Sequence, residues 1–434
     1  MQSVLHIPTN RDTSIAIASY VKEVRYAREE FGKDIPLVLI ETDNGDQVAH
    51  NARALEQAKA QDPDLTLYHM TIERQGAYFA ALLEGEPERV RNVFSSRAKN
   101  YATAMNKLFL MTPSFGADMF HRRDSDTTLL SDHLDGIAPR YPIEPELRYL
   151  GARVGSVAST GDAERDDRRI WVVGGNYFGE WNIDVKDFAR RDFGIVHRLY
   201  ELLGFERSVV EEICAEAFQF DPVYEEVDEL NFVTSVNDGL NPDCANFGMY
   251  RLHEYLPAVP GDNMLAADYF QFDIATALGI PALNHGRPVF HQYEPERFDP
   301  TRKLSYWEGM ARFADYFNFY YGIFTGDLST KLSHDDGDGL PAELSAEIVE
   351  TSRRQRLTLD KKERAARIKR IAEEILIPFD ENYAAIGRQL VERADLYVTQ
   401  CDAAYETHEL LLERWPRIIE RAKQISLPKM LSAR

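Results

Sequence analysis

Hydrophobic and polar positions over residues 1–70 switch between strand-like runs and helical spacing, and the switching predicts a strand–helix–strand–helix–strand unit. Residues 4–8 form a short apolar run that ends in Pro8-Thr9-Asn10-Arg11. Ile15, Ala18, Val21 and Val24 then recur at helical spacing behind the cap candidates Asp12, Thr13 and Ser14. Residues 36–40 are wholly apolar and are closed by Glu41-Thr42-Asp43-Asn44-Gly45. A helix over 47–60 and a strand over 65–70 follow. This order is that of a doubly wound, mostly parallel α/β sheet. Ligands bind such sheets at the carboxyl ends of the strands, where Thr9, Asn10, Arg11, Glu41 and Asp43 collect.

The pattern continues with a helix over 96–111, which carries Ala102, Met105, Leu108 and Phe109 on one face and Arg97, Asn100 and Asn106 on others. It leads into a short strand over 117–121 with Asp124-Ser125-Asp126 at its end. Two carboxylates one residue apart point the same way from an extended backbone. They can share one hard divalent cation whose remaining positions go to water and phosphate oxygens. The same spacing occurs at Asp62/Asp64 and Asp336/Asp338, so the pattern alone says little. Asp124 and Asp126 stand out because they close an apolar strand that follows a nucleotide-binding-like half.

Beyond residue 128 the periodicity loosens. Residues 137–145 read as a proline-rich loop, and 153–158 and 169–175 as strands of a second, mixed region. Helices are expected over 187–203, 208–217 and 261–278, the last capped by Asp262 or Asn263. Gly174-Gly175-Asn176-Tyr177-Phe178-Gly179 does not fit the G-x-G-x-x-G fingerprint; its glycines suit a close backbone approach to a ligand or a tight turn. Val289 and Phe290 put His291 at a strand end, with His285 nearby. The aromatics of 307–324 read as helical core. Residues 326–341 read as a linker whose Asp335-Asp336-Gly337-Asp338-Gly339 lacks the spacing of a calcium loop. Helices are then expected over 342–356, 360–376, 380–398 and 402–424. The chain thus divides into a catalytic region (1–327, with halves 1–130 and 131–327), a linker (328–341) and a helical C-terminal region (342–434).

Composition narrows the functions. A formal charge of −21 over 434 residues argues against nucleic acid and anionic membrane as partners. The three cysteines, Cys214, Cys244 and Cys401, are far apart, which suits buried free thiols rather than a zinc site or a disulfide framework. No leader pattern opens the chain, and no run approaches the ~18 apolar residues of a membrane span. A cytoplasmic protein is expected.

Taken together, the Pro8-Thr9-Asn10-Arg11 strand end, the acidic second strand end at Glu41 or Asp43, the asparagine-bearing helix and Asp124-Ser125-Asp126 resemble the GT-A-fold, nucleotide-sugar-dependent glycosyltransferases. The resemblance covers residues 3–128 and, more loosely, 255–297; it does not reach the C-terminal helices. It implies a GT-A-like α/β sheet with a helical C-terminal extension. Pro8, Thr9, Asn10, Arg11, Glu41, Asp43, Asn106 and Ser125 would then bind the nucleotide. Asp124, Asp126 and His291 would hold Mn²⁺ or Mg²⁺, and Asp262 would face the acceptor as a base if transfer inverts the anomeric centre. The partners implied are a nucleoside diphosphate sugar and a small-molecule or glycan acceptor. Phe120-His121-Arg122-Arg123 is more basic than the usual approach to the metal motif. Two alternatives are a nucleotidyltransferase acting on a phosphorylated small molecule, disfavoured by the absence of glycine after the first strand, and a non-catalytic nucleotide-binding scaffold. The C-terminal helices are open to three uses: a homo-oligomer interface, a cap on the acceptor site, or an extension of the core.

Overall fold

The computed structural model describes residues 1–95, 100–158, 160–179, 183–205, 207, 210–211, 230–233, 243–292, 299–324, 328, 339–341 and 343–432. The first half alternates β1 (Ser3–Thr9), α1 (Ser14–Phe31), β2 (Leu37–Glu41), α2 (Gln47–Gln61) and β3 (Leu67–Met70). Then come α3 (Ile72–Leu82), α4 (Glu88–Ser95), α5 (Tyr101–Ser114), β4 (Met119–Arg123), β5 (Thr127–Leu129) and α6 (Ile143–Tyr149). The later strands are β6 (Val172–Gly174), β7 (Tyr177–Gly179), β8 (Leu230–Val233), β9 (Asn246–Tyr250), β10 (Ala282–His285) and β11 (Val289–His291). The main sheet has the order β3-β2-β1-β4-β9-β6-β10-β8, and β5-β11-β7 make a smaller one. Strands β3, β2, β1 and β4 pair in parallel, as do β6 and β10, while β9 runs antiparallel between β4 and β6 and β8 antiparallel to β10. The architecture is the doubly wound, mostly parallel α/β sheet expected from the sequence, with a helical C-terminal region.

The strands of the first half are mostly apolar because both faces of the sheet are covered. Leu5, Ile7, Leu37 and Leu39 face Ile17, Tyr20, Val21 and Val24 of α1 and Leu55 of α2. Their neighbours Val4, Val38, Ile40 and Phe120 join the opposite core with Met105, Leu108 and Phe109 of α5. Period-two alternation thus divides one run of residues between two cores.

The run 120–123 obeys the same rule. Phe120 and Arg122 face α5, as the Phe109–Phe120 ring contact (5.3 Å) and Arg122 Nη1 at 3.7 Å from Met105 Sδ show. His121 and Arg123 face α1 and α6. Arg123 Nη2 reaches Glu23 (2.8 Å) and Glu146 (3.0 Å), and His121 Nδ1 lies 2.5 Å from Glu146 Oε2. All four side chains are fully buried. Against the cost of burial, Arg123 and His121 hold the Glu146 carboxyl below the usual range. Gly248 on β9 leaves the necessary room, since a Cβ there would fall 2.7 Å from His121 Nδ1. The basic residues before the aspartates are therefore internal counter-ions of the fold.

The C-terminal helices close the α5 side of the sheet. The last long one, Glu381–Gln424, is a single helix of 44 residues where the sequence pattern suggested a break between 398 and 402. Thr399, Gln400 and Asp402 look like an interruption, but Val398, Cys401, Asp402 and Tyr405 are one buried stripe. Asp402 is accommodated by Arg364 Nη1 at 2.6 Å, and Arg364 also holds Asp315 at 2.7 Å. Trp415 Nε1 donates to the His253 carbonyl (3.0 Å) and Ser114 Oγ to that of Ala422 (2.7 Å), which fastens the helix to β9's flank and to α5.

Several elements differ from expectation. Residues 154–157 are a helical turn rather than a strand, and α5 begins at Tyr101 with Asn100 as its cap, accepting from Thr103 N at 2.7 Å. Residues 261–266 are irregular, with Asn263 and Ala266 left-handed (φ 46° and 56°), and a 3-10 turn over Ala267–Tyr269 leads into the expected helix only at Phe270. The loop expected over 137–145 gives way to α6 from Ile143. Gly175 and Gly179 pack against protein: a Cβ would lie 2.6 Å from His285 Cε1 and 2.4 Å from the His291 carbonyl respectively. Arg97, Cys214, most of 208–217, most of the 326–341 linker and Asp335 to Asp338 lie outside the described residues. Cys244 and Cys401 are buried free thiols. No helix among the described residues is long and apolar enough to cross a membrane.

Arg123→Met leaves Glu23 and Glu146 buried without their counter-ion. We expect a loss of about 3–5 kcal/mol in unfolding free energy, read as a lower urea midpoint with an unchanged slope.

Candidate active site

The sheet reverses its strand order between β1 and β4, which makes the carboxyl edge there the expected crevice. The loop after β1 is held from beneath. Asn51 of α2 accepts from Thr13 N (2.8 Å) and donates to the Arg11 carbonyl (3.0 Å) and to Glu41 Oε1 (3.0 Å). Glu41 also meets His69 Nε2 at 2.8 Å. Thr9 Oγ1 pairs with Thr13 Oγ1 at 2.5 Å. Glu41 and Thr9 are buried, so they shape this loop from below, whereas Asn10 and Asp43 are exposed at the rim and Pro8 is half-buried. Asn106 is buried, and both ends of its amide bind the Ala258 backbone (2.9 and 2.7 Å). Its work is to tie α5 to the segment after β9.

Asp124, Ser125 and Asp126 leave β4 at this edge, half-buried. Arg11 Nη1 donates to Asp126 Oδ2 (3.0 Å), which joins the loop after β1 to the aspartates. His291, at the end of β11, is in register with Thr127 of β5 and brings Nε2 to 3.7 Å from Asp126 Oδ2. Arg122 Nε and Nη2 both point at Asp124 Oδ1 (2.9 and 2.8 Å), and Nη1 reaches Asp268 Oδ2 (3.1 Å). Asp243, just before β9, accepts from Ala245 N (2.8 Å) and the Tyr269 hydroxyl (2.8 Å). Its carboxyl is raised above the usual range by burial, and the neighbouring His291 and Arg122 oppose that shift. Asp124 is pushed up to about 6 by removal from water and by the carboxylates of Asp126, Asp243 and Asp268, against the pull of Arg122.

Asp243, Asp268 and Tyr269 are the members that sequence reasoning missed. They come from loops more than a hundred residues downstream, and nothing in their local spacing marks them. His285 does not join the group. It is buried on β10, packed on Gly175, and burial drives its imidazole down to about 4. Asp262 is exposed and accepts from Asn100 Nδ2 at 3.2 Å. Asn100 caps α5 only a few residues before Met105, which touches Arg122, so Asp262 lies on the rim of the same edge. Beside Asp126 opens a small pocket lined by Asp12, Thr13, Ser125, His133 and Gln292, with the His133 ring stacked on Phe290 at 4.0 Å.

The donor chemistry here fits a divalent cation. The 3.7 Å between His291 Nε2 and Asp126 Oδ2 is too long for a hydrogen bond. It is a spacing open to two donors that each lie ~2.1 Å from a shared ion. Carboxylate oxygens suit a hard divalent cation, and one imidazole suits a transition metal ion. Among the described residues no three such side chains already converge on a point, so an ion would complete its shell from water or phosphate.

Residues 2–431 match a family of unknown function, DUF6271, and the chain belongs to that family. No curated protein matches. Among solved structures, one similar chain is glucosyl-3-phosphoglycerate synthase from Mycobacterium tuberculosis in complex with Mn²⁺, UDP-glucose and phosphoglyceric acid. The two are 14% identical over 71% of this chain and 77% of that one, with a TM-score of 0.35. Another is the mannosyltransferase PcManGT from Pyrobaculum calidifontis in complex with GDP-Man and Mn²⁺, at 12% identity over 92% and 85% with a TM-score of 0.36. A third is TarS 1–349 of S. aureus in complex with UDP, at 11% over 95% and 92% with a TM-score of 0.33.

An acid whose folded pKa lies above its unfolded value binds protons more readily in the native state, so its ionisation lowers stability as pH rises. For Asp124 that window runs from about 4 to about 6. We expect the melting temperature of metal-free wild type, minus that of Asp124→Asn, to fall across this window. A difference that stays level with pH contradicts the crowding.

Proposed function

We propose that the protein is a metal-dependent glycosyltransferase that moves a sugar from a nucleoside diphosphate sugar to a hydroxyl of a small molecule or glycan. The observation that carries this reading is the approach of His291 Nε2 to Asp126 Oδ2 (3.7 Å), two residues from Asp124 and beside Arg11 of the loop after β1, at the reversal of strand order. In this reading residues 1–327 are the catalytic region, and 342–434 are a helical buttress behind it.

Asp124, Asp126 and His291 would hold Mn²⁺ or Mg²⁺. When bound, that ion supplies positive charge to offset the negative charge developing on the leaving diphosphate. Asp43, Asn10 and Pro8, at the rim of β1 and β2, would receive the nucleoside, with Thr9 and Glu41 fixing the loop beneath it. Arg11 is held at the mouth by Asp126, where its guanidinium can turn to a phosphate oxygen. Ser125 adds a hydroxyl to the same opening. In the transfer, the bond from the anomeric carbon to the diphosphate oxygen breaks and a bond to the acceptor oxygen forms. The acceptor's proton must leave. Asp262 is our candidate to take it if the anomeric centre inverts, being an exposed carboxylate on the rim. The surrounding carboxylates would disfavour a strongly anionic acceptor unless the metal and nucleotide are already in place.

A thermal-melting panel of UDP, GDP, CDP and ADP and their sugars, each with and without Mn²⁺ or Mg²⁺, tests the reading. One base should raise the melting temperature only with metal, by mass action. Asp124→Ala and Asp126→Ala should remove that shift and cut donor turnover by about 100-fold or more. Release of pyrophosphate from a nucleoside triphosphate would point instead to nucleotidyl transfer. An active Asp124→Ala enzyme overturns the site.

A further inference from the structure

We propose that Arg122, divided between Asp124 and Asp268, tunes the cation site by charge: its guanidinium at Asp124 Oδ1 opposes the ion, Asp268 offsets that guanidinium, and the pair sets how tightly the ion is held. This rests on the metal-dependent reading above. Asp124 lies just past the end of β4, two residues after Arg122, and the two side chains meet directly. The guanidinium is divided between two carboxylates. Nε and Nη2 hold Asp124 Oδ1 at 2.9 and 2.8 Å, and Nη1 holds Asp268 Oδ2 at 3.1 Å. Asp268 sits on the short turn Ala267–Tyr269, entered through the left-handed Ala266. The Arg122 and Asp268 side chains are each 8% exposed, so water and salt compete little for them, while Asp124 is 29% exposed and is the open end of the chain.

Two consequences follow from charge and geometry. With Oδ1 engaged by Arg122, a cation is directed to Oδ2 of Asp124. The guanidinium also opposes the ion's charge, while Asp268 draws part of that guanidinium away and adds a negative charge of its own. The two residues therefore pull cation affinity in opposite directions. A residue that merely supported the fold would weaken the site whichever partner were removed.

The test titrates the full-length protein with Mn²⁺ alone, following free and bound Mn²⁺ by electron paramagnetic resonance and the metal-induced rise in melting temperature. Asp268→Asn should weaken Mn²⁺ by about 10-fold or more, in the range for partners that orient a ligand. Arg122→Met should do the reverse, binding Mn²⁺ more tightly with a larger metal-induced rise, because the opposing charge is gone. Arg122→Lys, which keeps the charge but not the fork, should bring affinity back towards wild type with an altered spectrum of the bound ion. Wild-type protein that binds no Mn²⁺ overturns the cation site itself. Wild-type binding with Asp268→Asn unchanged, or with a folded Arg122→Met that binds more weakly, leaves the cation site standing and overturns this inference. If Arg122→Met does not fold, Arg122→Gln takes its place and must likewise bind Mn²⁺ more tightly than wild type.

Discussion

The structure depends on how β4 ends. Two consecutive arginines leave this strand on opposite faces of the sheet, and each is enclosed by carboxylates. On the α1 face, Arg123 draws Glu23 and Glu146 together, and Glu23 in turn accepts from Ile143 N at 2.6 Å, which sets the start of α6. On the α5 face, Arg122 joins the aspartates at the carboxyl edge to the turn that carries Asp268 and Tyr269. An ion buried without a partner costs several kcal/mol, so neither arginine can be lost without its carboxylates being exposed to that cost. The candidate site is thus built on the fold's own charge compensation.

Much of this was legible in the sequence, for identifiable reasons. The strands that carry the first half are short apolar runs between amphipathic helices, and that signal survives because both sheet faces are buried. His291 was legible as a strand end because Val289 and Phe290 precede it. What was not legible depends on distant partners. Asp243 and Asp268 come near Asp124, Asp268 through Arg122, because β9 inserts antiparallel between β4 and β6, and no local pattern announces that insertion. Asn106 looks like a ligand-facing asparagine on a helix, yet it is taken by the Ala258 backbone from another segment. The long C-terminal helix was read as two because a buried Asp402 resembles a break until Arg364 is placed beside it.

The C-terminal helices are bound into the same hydrophobic cluster as α5 and the inner face of β4. Tyr316, Tyr320 and Tyr405 are wholly buried in that cluster, and Tyr405 donates to Asp315 at 2.8 Å, the carboxylate that Arg364 also holds. Rigidity of α5 follows, since it is fixed by the sheet on one side and by Ala422 and Trp415's helix on the other. That rigidity matters at the site, because Met105 of α5 flanks Arg122 and Asn100 at its cap holds Asp262. The path from the distal helices to the aspartates is short and made of packed side chains.

The charges at the carboxyl edge lead to a last step. Asp124, Asp126, Asp243 and Asp268 bring four carboxyl groups there, and Arg11 and Arg122 supply two guanidiniums. With the carboxyls ionised and His291 neutral, these groups sum to minus two, a deficit that one divalent cation balances. A nucleoside diphosphate arriving alone would meet that deficit as repulsion, and a cation arriving alone would leave its outer positions to water. In the proposed reading each would favour the other's binding, equally in both directions by linkage. The arginines limit the deficit to what one such ion can neutralise. Under the proposed function, the same pairing that lets acidic side chains be buried at β4 would make cation and nucleotide binding mutually dependent.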